Sequence, residues 1–286
     1  MPNANNSHSN NPAVSVLMPT WNRAHLLARA IASVQSQTFT DWELVVIDDA
    51  STDGTKALLD NLAKRDPRIR PIHNAKNNYP DISKNLNDGM AAARGRYIAR
   101  LDDDDYWCDD GKLAAQADFL DGHPDHVITG GGTIVIDDAD RERFCYYKLE
   151  TDEKIRDKAL FANPFTHSTV MFRRDVALKV GGYGNYGNVE DWDLWLRMGT
   201  HGKFYNFQKY FVRYLLTEKS KTFIFKHSQS RDILRVIGLH RREYPHFAAA
   251  YALNYGQYIY SFLPQGAQRV LHSSLSRAKR GLFSGN

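Results

Sequence analysis

Four consecutive aspartates, Asp102 to Asp105, follow the short apolar stretch "RYIARL" at residues 96–101. Neighbouring carboxylates repel one another, and either solvent or a bound cation can offset that repulsion. Carboxylate oxygens suit Mg²⁺ or Mn²⁺, and Mg²⁺ is typically held by one or two carboxylates together with substrate phosphates. At a strand end, alternation directs Asp102 and Asp104 to one side and Asp103 to the other. The run therefore predicts a divalent-cation site, with a solvated acidic turn as the alternative.

A second acidic pair, Glu190 and Asp191, opens the segment "EDWDLWLRMG" at residues 190–199, which has the pattern of a helix. The helix dipole favours acidic residues in a first turn, which is a purely structural explanation. A carboxylate is also a standard acceptor for the proton of an attacking hydroxyl group. Both explanations stay open from these residues alone.

The first hundred residues alternate strand-like and helix-like segments. Leu27, Ile31 and Val34 share one face of a helix that Asn22 could cap. The alternation predicts right-handed crossovers and a mostly parallel sheet, in which ligands bind beyond the carboxyl ends of the strands. The polar segments "PTWN", "DDAS" and "DDDD" follow three such ends, so we expect them to converge. The predicted strands lie at residues 14–18, 43–48, 69–73 and 96–101.

The second half of the chain is less regular. "VITGG" (127–131), "TIVIDD" (133–138) and "HSTVMFRR" (167–174) have the pattern of three more strands. From about residue 225 to the end, the sequence predicts helix throughout.

The composition is that of a globular protein, with 42% hydrophobic and 24% charged residues in 286. Cys108 and Cys145 are the two cysteines, which predicts neither a disulfide framework nor a cysteine-based metal site, and a reducing cytoplasm is the simplest setting. Residues 1–12 are rich in Asn and Ser, which favours a disordered tail over a signal peptide. The longest apolar stretches are interrupted by polar residues, so a membrane span is not expected.

The C-terminal third is strongly basic, because residues 201–286 hold 14 Lys and Arg against 3 Asp and Glu. A basic amphipathic segment beside tyrosines is typical of an interfacial anchor on an anionic bilayer, and equally of helices packed on a domain with their cations in water. Basic charge also suits nucleic acid, but no binding motif is present, so that partner is not expected. The aromatic stripe is Tyr251, Tyr255, Tyr258 and Phe262, and the apolar sector beyond it is Val270, Leu271, Leu275, Ala278 and Leu282.

The segments "VSVLMPTWNRAHLLARAIASVQSQTFTDWELVVIDDASTDGT" and "GMAAARGRYIARLDDDD" closely resemble glycosyltransferase family two, a large family of inverting enzymes. The resemblance extends over about residues 13–215 in the family's order and spacing. It implies a GT-A fold, an α/β, Rossmann-like architecture with a mostly parallel central sheet flanked by helices, here with a helical C-terminal extension. The implied parts are a disordered tail (1–12), a glycosyltransferase domain (13–222) and the extension (223–286), for which membrane association is one alternative.

The same resemblance implies roles for individual residues. Asp49 matches the family's base-contacting aspartate, Asp102 its ribose contact and Asp104 its metal ligand, which implies Mn²⁺ or Mg²⁺ as the cofactor. Asp191 matches the aspartate of an "ED" pair that serves as the catalytic base. The implied nucleotide-binding residues are Pro19, Thr20, Trp21, Asn22, Asp48, Asp49, Asp102 and Asp103.

Six further residues have both a functional and an ordinary structural explanation. Lys84 would meet the diphosphate or lie exposed on a helix, and Gly131 would admit a donor sugar or form a tight turn. His167 would meet the phosphates or be a hydrogen-bonded structural histidine. The full set is Lys84, Asp105, Gly131, His167, Glu190 and Trp192, the last belonging either to the acceptor wall or to the core.

These features together predict a metal-dependent, inverting glycosyltransferase. It would move a sugar from a nucleotide-sugar, by family frequency a UDP-sugar, to a hydroxyl of a polysaccharide or lipid-linked glycan. A polyprenyl-phosphate sugar synthase is the alternative, disfavoured by Asp191, and an inactive sugar-binding protein of the same fold is disfavoured because the metal and base positions are filled. The expected location is the cytoplasm, with the inner face of the cytoplasmic membrane, and contact with its anionic lipids, as an alternative.

Overall fold

The structure is a computed structural model that describes residues 11–217 and 227–263. The first ten residues of the expected disordered tail and the apolar sector from Val270 to Leu282 lie outside the described residues.

The described residues form a mixed α/β structure of nine strands and nine α-helices. The strands are β1 (Val14–Thr20), β2 (Trp42–Asp48), β3 (Ile69–His73), β4 (Tyr97–Arg100), β5 (Tyr106–Trp107), β6 (His126–Ile136), β7 (Glu142–Tyr146), β8 (Met171–Arg173) and β9 (Lys203–Leu215). The helices are α1 (Ala24–Gln35), α2 (Thr55–Arg65), α3 (Ile82–Ala92), α4 (Lys112–Gly122), α5 (Asp152–Lys158), α6 (Arg174–Lys179), α7 (Glu190–Gly199), α8 (His227–Leu239) and α9 (Phe247–Tyr260).

One sheet runs through the molecule in the order β3-β2-β1-β4-β8-β6-β9-β5, with β7 paired to β6. The strands β1 to β4 pair in parallel, as the alternation of strands and helices predicts. Beyond β4 the sheet is mixed, because β8 is antiparallel to both its neighbours while β6 and β9 are parallel to each other. The carboxyl ends of β1, β2 and β4 therefore lie along one edge, where the three polar segments follow them.

Two expectations for the second half are wrong in detail. The two strands predicted at 127–131 and 133–138 are the single strand β6, which continues through three glycines. The strand predicted at 167–174 is a 3₁₀ turn (His167–Thr169) followed by the short β8. Glycine weakens a strand in isolation, but here the missing side chains leave room for neighbouring rings, so packing decides the local structure.

Both faces of the sheet are covered, which explains why its central strands are continuous apolar runs. In β1, Val16 points into a core with α1, α2 and α4, whereas Leu17 points into a core with α3, α7 and α8. The predicted helix face of Leu27, Ile31 and Val34 is buried in the first of these cores.

The described part of the C-terminal third packs on this second core. Val236 and Ile237 of α8 are fully buried in the same cluster as Trp195 of α7. His240 Nε2 lies 3.2 Å from Oδ1 of the buried Asp193, which joins the end of α8 to α7. In residues 11–217 and 227–263, every helix is too short or too polar to cross a bilayer.

Candidate active site

Asn22 joins the loop after β1 to the loop after β2. Its φ of 53° is a left-handed conformation that asparagine adopts more readily than most residues. Its N–H donates to Ser51 Oγ (2.9 Å), and its Oδ1 accepts from the N–H groups of Thr52 (2.7 Å) and Asp53 (3.3 Å). Asn22 therefore does not cap α1, contrary to the expectation, because its side chain is engaged by the second loop.

The residues before Asn22 present one exposed ring beside a buried strand end. Pro19 and Thr20 are buried at the end of β1, while Trp21 keeps 51% of its surface exposed. An exposed indole at the sheet edge is available for stacking against a planar group, which suits the expected contact with a nucleotide base.

The two aspartates after β2 are buried and already hydrogen-bonded. Asp48 Oδ1 accepts from the N–H of Ser51 (3.0 Å), and Oδ2 lies 2.8 Å from Nδ1 of His73. Asp49 Oδ1 accepts from the N–H of Asn78 (3.0 Å). These contacts hold the two carboxylates at the same edge as the loop that contains Trp21.

The four aspartates that follow β4 form a turn. The strand ends at Arg100, and the N–H of Asp105 donates to the carbonyl oxygen of Asp102 (3.2 Å). Alternation holds only within a strand, so the argument from alternation does not apply to Asp102 and Asp104, and their shared direction stays a prediction. Asp102 Oδ1 accepts from the guanidinium of the fully buried Arg100 (2.6 Å). Burial acts to raise the pKa of Asp102, but the charge of Arg100 and the hydrogen bonds from Arg100 and Ser168 together outweigh it, and the pKa is lowered.

The middle of the turn carries more negative charge than its partners offset. Asp104 Oδ2 lies 3.3 Å from Nη1 of Arg23 in a partly exposed ion pair. Burial and the charge of Asp104 raise the pKa of Asp103 to about 7. Burial and the charge of Asp102 likewise raise the pKa of Asp104.

The last aspartate of the run, Asp105, points into the protein. Its Oδ1 accepts from the N–H of Leu215 (3.0 Å), and the Ser168 hydroxyl lies 2.5 Å from its Oδ2. Burial and the charge of Asp104 raise the pKa of Asp105 well above its usual value. Asp105 therefore anchors the turn to β9 and does not face solvent.

The donor chemistry of the turn fits a divalent cation carried by a diphosphate. Among the described residues, no three His, Cys, Asp or Glu side chains are arranged to hold a metal by themselves. Mg²⁺ bound to phosphates needs one or two protein carboxylates, because phosphate and water oxygens complete its shell. The turn offers hard oxygen ligands at Asp102 and Asp104, and a cation there would offset the repulsion that raises the pKa of Asp103.

The acidic pair at the start of α7 shares this site. Asp191, partly buried, accepts from the Asn163 side-chain amide at Oδ2 (2.7 Å) and from the N–H of Trp192 at Oδ1 (2.7 Å). Loss of solvent raises the pKa of Asp191 to about 6, against the opposing effect of Asn163. Burial and the charge of Asp191 raise the pKa of Glu190 to about 8. Residues 167 and 168 connect the pair to the acidic turn, because the Ser168 hydroxyl lies 3.2 Å from Asp102 Oδ2 and the His167 ring lies 5.9 Å from that of Trp195 in α7. The charge of Asp102 also contributes to the raised pKa of both groups.

His167 is a neutral, hydrogen-bonded side chain next to Ser168, whose hydroxyl contacts the acidic turn. Its Nε2 is 3.2 Å from the Tyr183 hydroxyl. Burial and the charge of Arg100 lower the pKa of His167 to about 3. This geometry agrees with the structural explanation for His167, and a contact with the phosphates stays a prediction.

Three of the six further residues have structural surroundings. Gly131 lies inside β6, where a Cβ would collide with the ring of Phe211, so the space expected for a donor sugar is filled by that ring. Trp192 is buried in the core and donates to the carbonyl oxygen of Ala159 (2.8 Å), which corrects its assignment to the site. Lys84 is exposed on α3 and paired with Asp88 four residues along the helix.

The structure also brings in residues that the sequence interpretation missed. Arg100 offsets one of the four aspartates, and a charged residue within the apolar run "YIARL" was a usable signal for a buried ion pair. Ser168 bridges Asp102 and Asp105, and Asn163 holds Asp191. Nothing in the local sequence marks these last two, because their partners are distant along the chain.

Two relatives of this chain are named as glycosyltransferases. EpsE of Bacillus subtilis (strain 168) is 34% identical over 219 residues, which cover 74% of this chain and 75% of EpsE. The GalNAc(5)-diNAcBac-PP-undecaprenol beta-1,3-glucosyltransferase of Campylobacter jejuni is 45% identical over 94 residues, which cover 33% of this chain and 30% of that enzyme. The second match therefore compares about a third of each protein.

The solved structure of the Pyrobaculum calidifontis mannosyltransferase PcManGT, in complex with GDP-Man and Mn²⁺, superposes with a TM-score of 0.64. The match covers 93% of this chain and 81% of PcManGT at 17% identity, which supports the shared fold. The expected GT-A fold with a helical C-terminal region is thereby confirmed. The model of the family "Glycosyl transferase family 2" matches residues 15–181. The chain therefore belongs to glycosyltransferase family 2 and is a glycosyltransferase.

Proposed function

We propose that this enzyme transfers a sugar, with inversion at the anomeric carbon, from a UDP-sugar to a hydroxyl of a polysaccharide or lipid-linked glycan, with Mn²⁺ or Mg²⁺ on the diphosphate. The observation that carries the proposal is that residues 167 and 168 contact both the acidic turn and α7, the helix of Asp191, beyond the strand that ends near the exposed Trp21. Such a site offers a proton acceptor on one side of a sugar and a cation position on the other.

In the proposed reaction, Asp191 receives the proton of the acceptor hydroxyl. The freed oxygen forms a bond to the anomeric carbon as the bond from that carbon to the phosphate oxygen breaks, and the electron pair leaves with the nucleoside diphosphate. Attack from the face opposite the leaving group inverts the anomeric centre. A pKa of about 6 suits Asp191 to this role, since the group is mostly ionised at neutral pH and still basic enough to take a proton.

In this proposal, the acidic turn and the loops after β1 and β2 bind the nucleotide-sugar. Asp104 would hold the cation, which stabilises negative charge on the departing diphosphate when bound. Asp102 would contact the ribose, and Asp49 and Trp21 the base. Each of these groups already lies at the carboxyl edge of the sheet, although the carboxylates of Asp49 and Asp102 now have internal partners.

The acceptor class rests on the relatives. The Campylobacter jejuni enzyme is named for a glycan on an undecaprenol diphosphate carrier, which supports a lipid-linked glycan for this chain. A polyprenyl-phosphate synthase remains the second candidate, because a phosphate nucleophile is already deprotonated and needs no base. Loss of transfer in Asp191→Asn would favour the hydroxyl acceptor, while full activity on polyprenyl phosphate in that variant would favour the second candidate.

Nucleotide release from a panel of UDP-glucose, UDP-galactose, UDP-GlcNAc and GDP-mannose tests the donor and the cation. We expect cation-dependent release from one UDP-sugar, abolished by EDTA and by Asp104→Ala. Asp138→Ala is the matched control, because Asp138 is an exposed aspartate on the loop after β6. Preference for GDP-mannose would overturn the UDP assignment, and release unaffected by EDTA or Asp104→Ala would overturn the cation site.

The location proposed for this enzyme is the inner face of the cytoplasmic membrane, reached through α9. This helix contains no charged residue, and Ala250 and Asn254 bury one side of it against the domain. The opposite side exposes large apolar side chains, namely Tyr251, Tyr255, Ile259 and Phe262. Tyrosines with an apolar body favour the membrane–water boundary, and Arg231, Arg235, Arg241 and Arg242 nearby in sequence suit anionic lipids.

A further inference from the structure

The side chain of Asn163 makes a direct hydrogen bond to the proposed base. Its Nδ2 lies 2.7 Å from Oδ2 of Asp191, although the two residues are 28 positions apart. The other carboxylate oxygen accepts from the N–H of Trp192 at 2.7 Å. Both oxygens of the carboxylate thus accept a hydrogen bond, and one of the two donors is a side chain outside α7.

Asn163 is itself fixed in one orientation. Its Oδ1 accepts from the N–H of Phe165 (3.2 Å), so the amide nitrogen must face Asp191. Its carbonyl oxygen accepts from Lys148 Nζ (3.0 Å). Phe165 is buried with its ring edge against Trp195 of α7, at 6.2 Å between ring centres. The segment that carries Asn163 and the helix that carries Asp191 are therefore packed together as one unit.

We propose that Asn163 is a positioning residue for the transfer reaction, whose amide holds the Asp191 carboxylate in the orientation from which it receives the proton of the acceptor hydroxyl. The inference rests on the proposed role of Asp191 as the base. Asn163 gains and loses no proton in the reaction. Its N–H bond favours the ionised carboxylate, because a donor stabilises negative charge, and so opposes the effect of burial on the pKa of Asp191.

Other charged or titratable groups face Asp191 and must stay constant in the test. The charge of Asp102 raises the pKa of Asp191, and the charge of Asp191 raises the pKa of Glu190. These groups come from α7, from the turn after β4 and from the segment before α7; they are Glu190, Asp102 and Tyr183. Substitution of Asn163 changes none of them, so a shift in the Asp191 titration reports the lost hydrogen bond.

The test is the carbon-13 carboxyl titration of Asp191, with the signal assigned by its absence in Asp191→Asn. We expect Asn163→Ala to raise the pKa of Asp191 by about one unit. Asn163→Asp should raise it further, because a second carboxylate adds repulsion, and Asn163→Ser should restore part of the shift through its hydroxyl donor. In Asn163→Ala, the acid limb of the pH profile of nucleotide release should move to higher pH. This release is measured with water as the acceptor and with the sugar donor that the panel identifies. Asn188→Ala, an exposed asparagine before α7, is the matched control.

Two results would overturn the inference. One is an unchanged Asp191 titration in Asn163→Ala; the other is an equal loss of activity at every pH with the acid limb unmoved, which indicates a structural role. Melting temperature and donor binding by calorimetry exclude misfolding as the cause. Full activity in Asp191→Asn would instead overturn the base assignment, so failure of the proposed function is distinguishable from failure of the role of Asn163.

Discussion

At the scale of single residues, the four adjacent aspartates have different surroundings although their side chains are identical. Asp102 is paired with a buried arginine, Asp103 and Asp104 repel each other near Arg23, and Asp105 is a buried acceptor for the N–H of Leu215 in β9. Position in a turn, and not the residue type, separates the binding groups from the anchoring group. We therefore expect a substitution of Asp105 to lower the free energy of unfolding, and a substitution of Asp104 to abolish activity without changing stability.

Asp105→Ala should lower the free energy of unfolding by about 1–3 kcal/mol, because the buried N–H of Leu215 loses its acceptor. Asp105→Asn should be nearly neutral, since the amide oxygen can accept that N–H and the amide nitrogen can donate to Ser168. Urea denaturation measures both. Asp104→Ala is the comparison, with unchanged stability and lost cation-dependent release; equal stability of Asp105→Ala and wild type would contradict the anchoring role.

The pH dependence of activity should follow Asp191. Its pKa is raised to about 6 and it must be ionised to accept a proton, so kcat/KM should be constant above neutral pH and fall about tenfold per pH unit well below 6. Glu190→Gln should leave this limb in place, because the pKa of Glu190 is about 8 and the group is already neutral at pH 6. If the acid limb has its midpoint near pH 4, the group that must be ionised for activity is not a carboxyl with the raised pKa of Asp191.

At the scale of elements, α7 is fixed from two sides. The sheet lies under one face, and α8 covers another through Ile237, Val236 and the contact between His240 and Asp193. Arg197 adds an ion pair to the same aspartate. The helix that begins with the proposed base is therefore stabilised in part by residues outside the family-model match at 15–181.

Ile237→Ala should destabilise the whole glycosyltransferase domain by about 2–4 kcal/mol, because it leaves a cavity in a core shared with Trp195. Leu239→Ala, in the same helix but 51% exposed, should change stability by less than about 0.5 kcal/mol. Chemical denaturation followed by tryptophan fluorescence compares the two. A single cooperative transition is expected, and an unchanged midpoint for Ile237→Ala would show that α8 does not contribute to this core.

Elements with a clear hydrophobic period could be predicted from the sequence, and those set by tertiary packing could not. β1 to β4 follow from short apolar runs, and α7 follows from its acidic first turn. The sequence predicts two strands in place of β6 because three glycines, Gly130–Gly132, interrupt the apolar pattern. In the structure the strand continues, because the rings of Phe211 and Tyr147 fill the space of the missing side chains. Asp104 and Asp191 could be named from motifs, but Asn163 could not, because its partner is reached only through the fold.

At the scale of the whole molecule, charge and apolar surface are unevenly distributed. The excess of basic over acidic residues lies after residue 200, and α9 exposes an uncharged face with tyrosines in the same region. A lipid-linked acceptor is itself confined to a membrane surface, so an enzyme that lies on the same surface meets it at a high local concentration. The exposed face of α9 and the proposed acceptor are thus consistent with one location.

Ile259→Glu combined with Phe262→Glu should lower binding to phosphatidylglycerol-containing vesicles by about tenfold or more, because charges would enter the bilayer boundary. Leu178→Glu, at an exposed leucine of α6, is the matched control and should bind as wild type does. Vesicle sedimentation at low and high salt measures both the apolar and the electrostatic contributions. Absence of vesicle binding together with concentration-dependent dimerisation would assign this face to a second copy of the chain.

The hydrogen bond between Asp105 and Leu215 joins residues 110 positions apart. During synthesis, the acidic turn therefore emerges from the ribosome long before the amide that completes its anchor. Until β9 is made, Asp105 Oδ1 lacks the N–H group of Leu215 that donates to it, and the sheet lacks β9 beside β6. A chain that stops at residue 181 would contain the whole family-model match and still lack both Asp191 and that amide. The anchor of the acidic turn is thus completed only when β9, the last strand of the described residues, has been made.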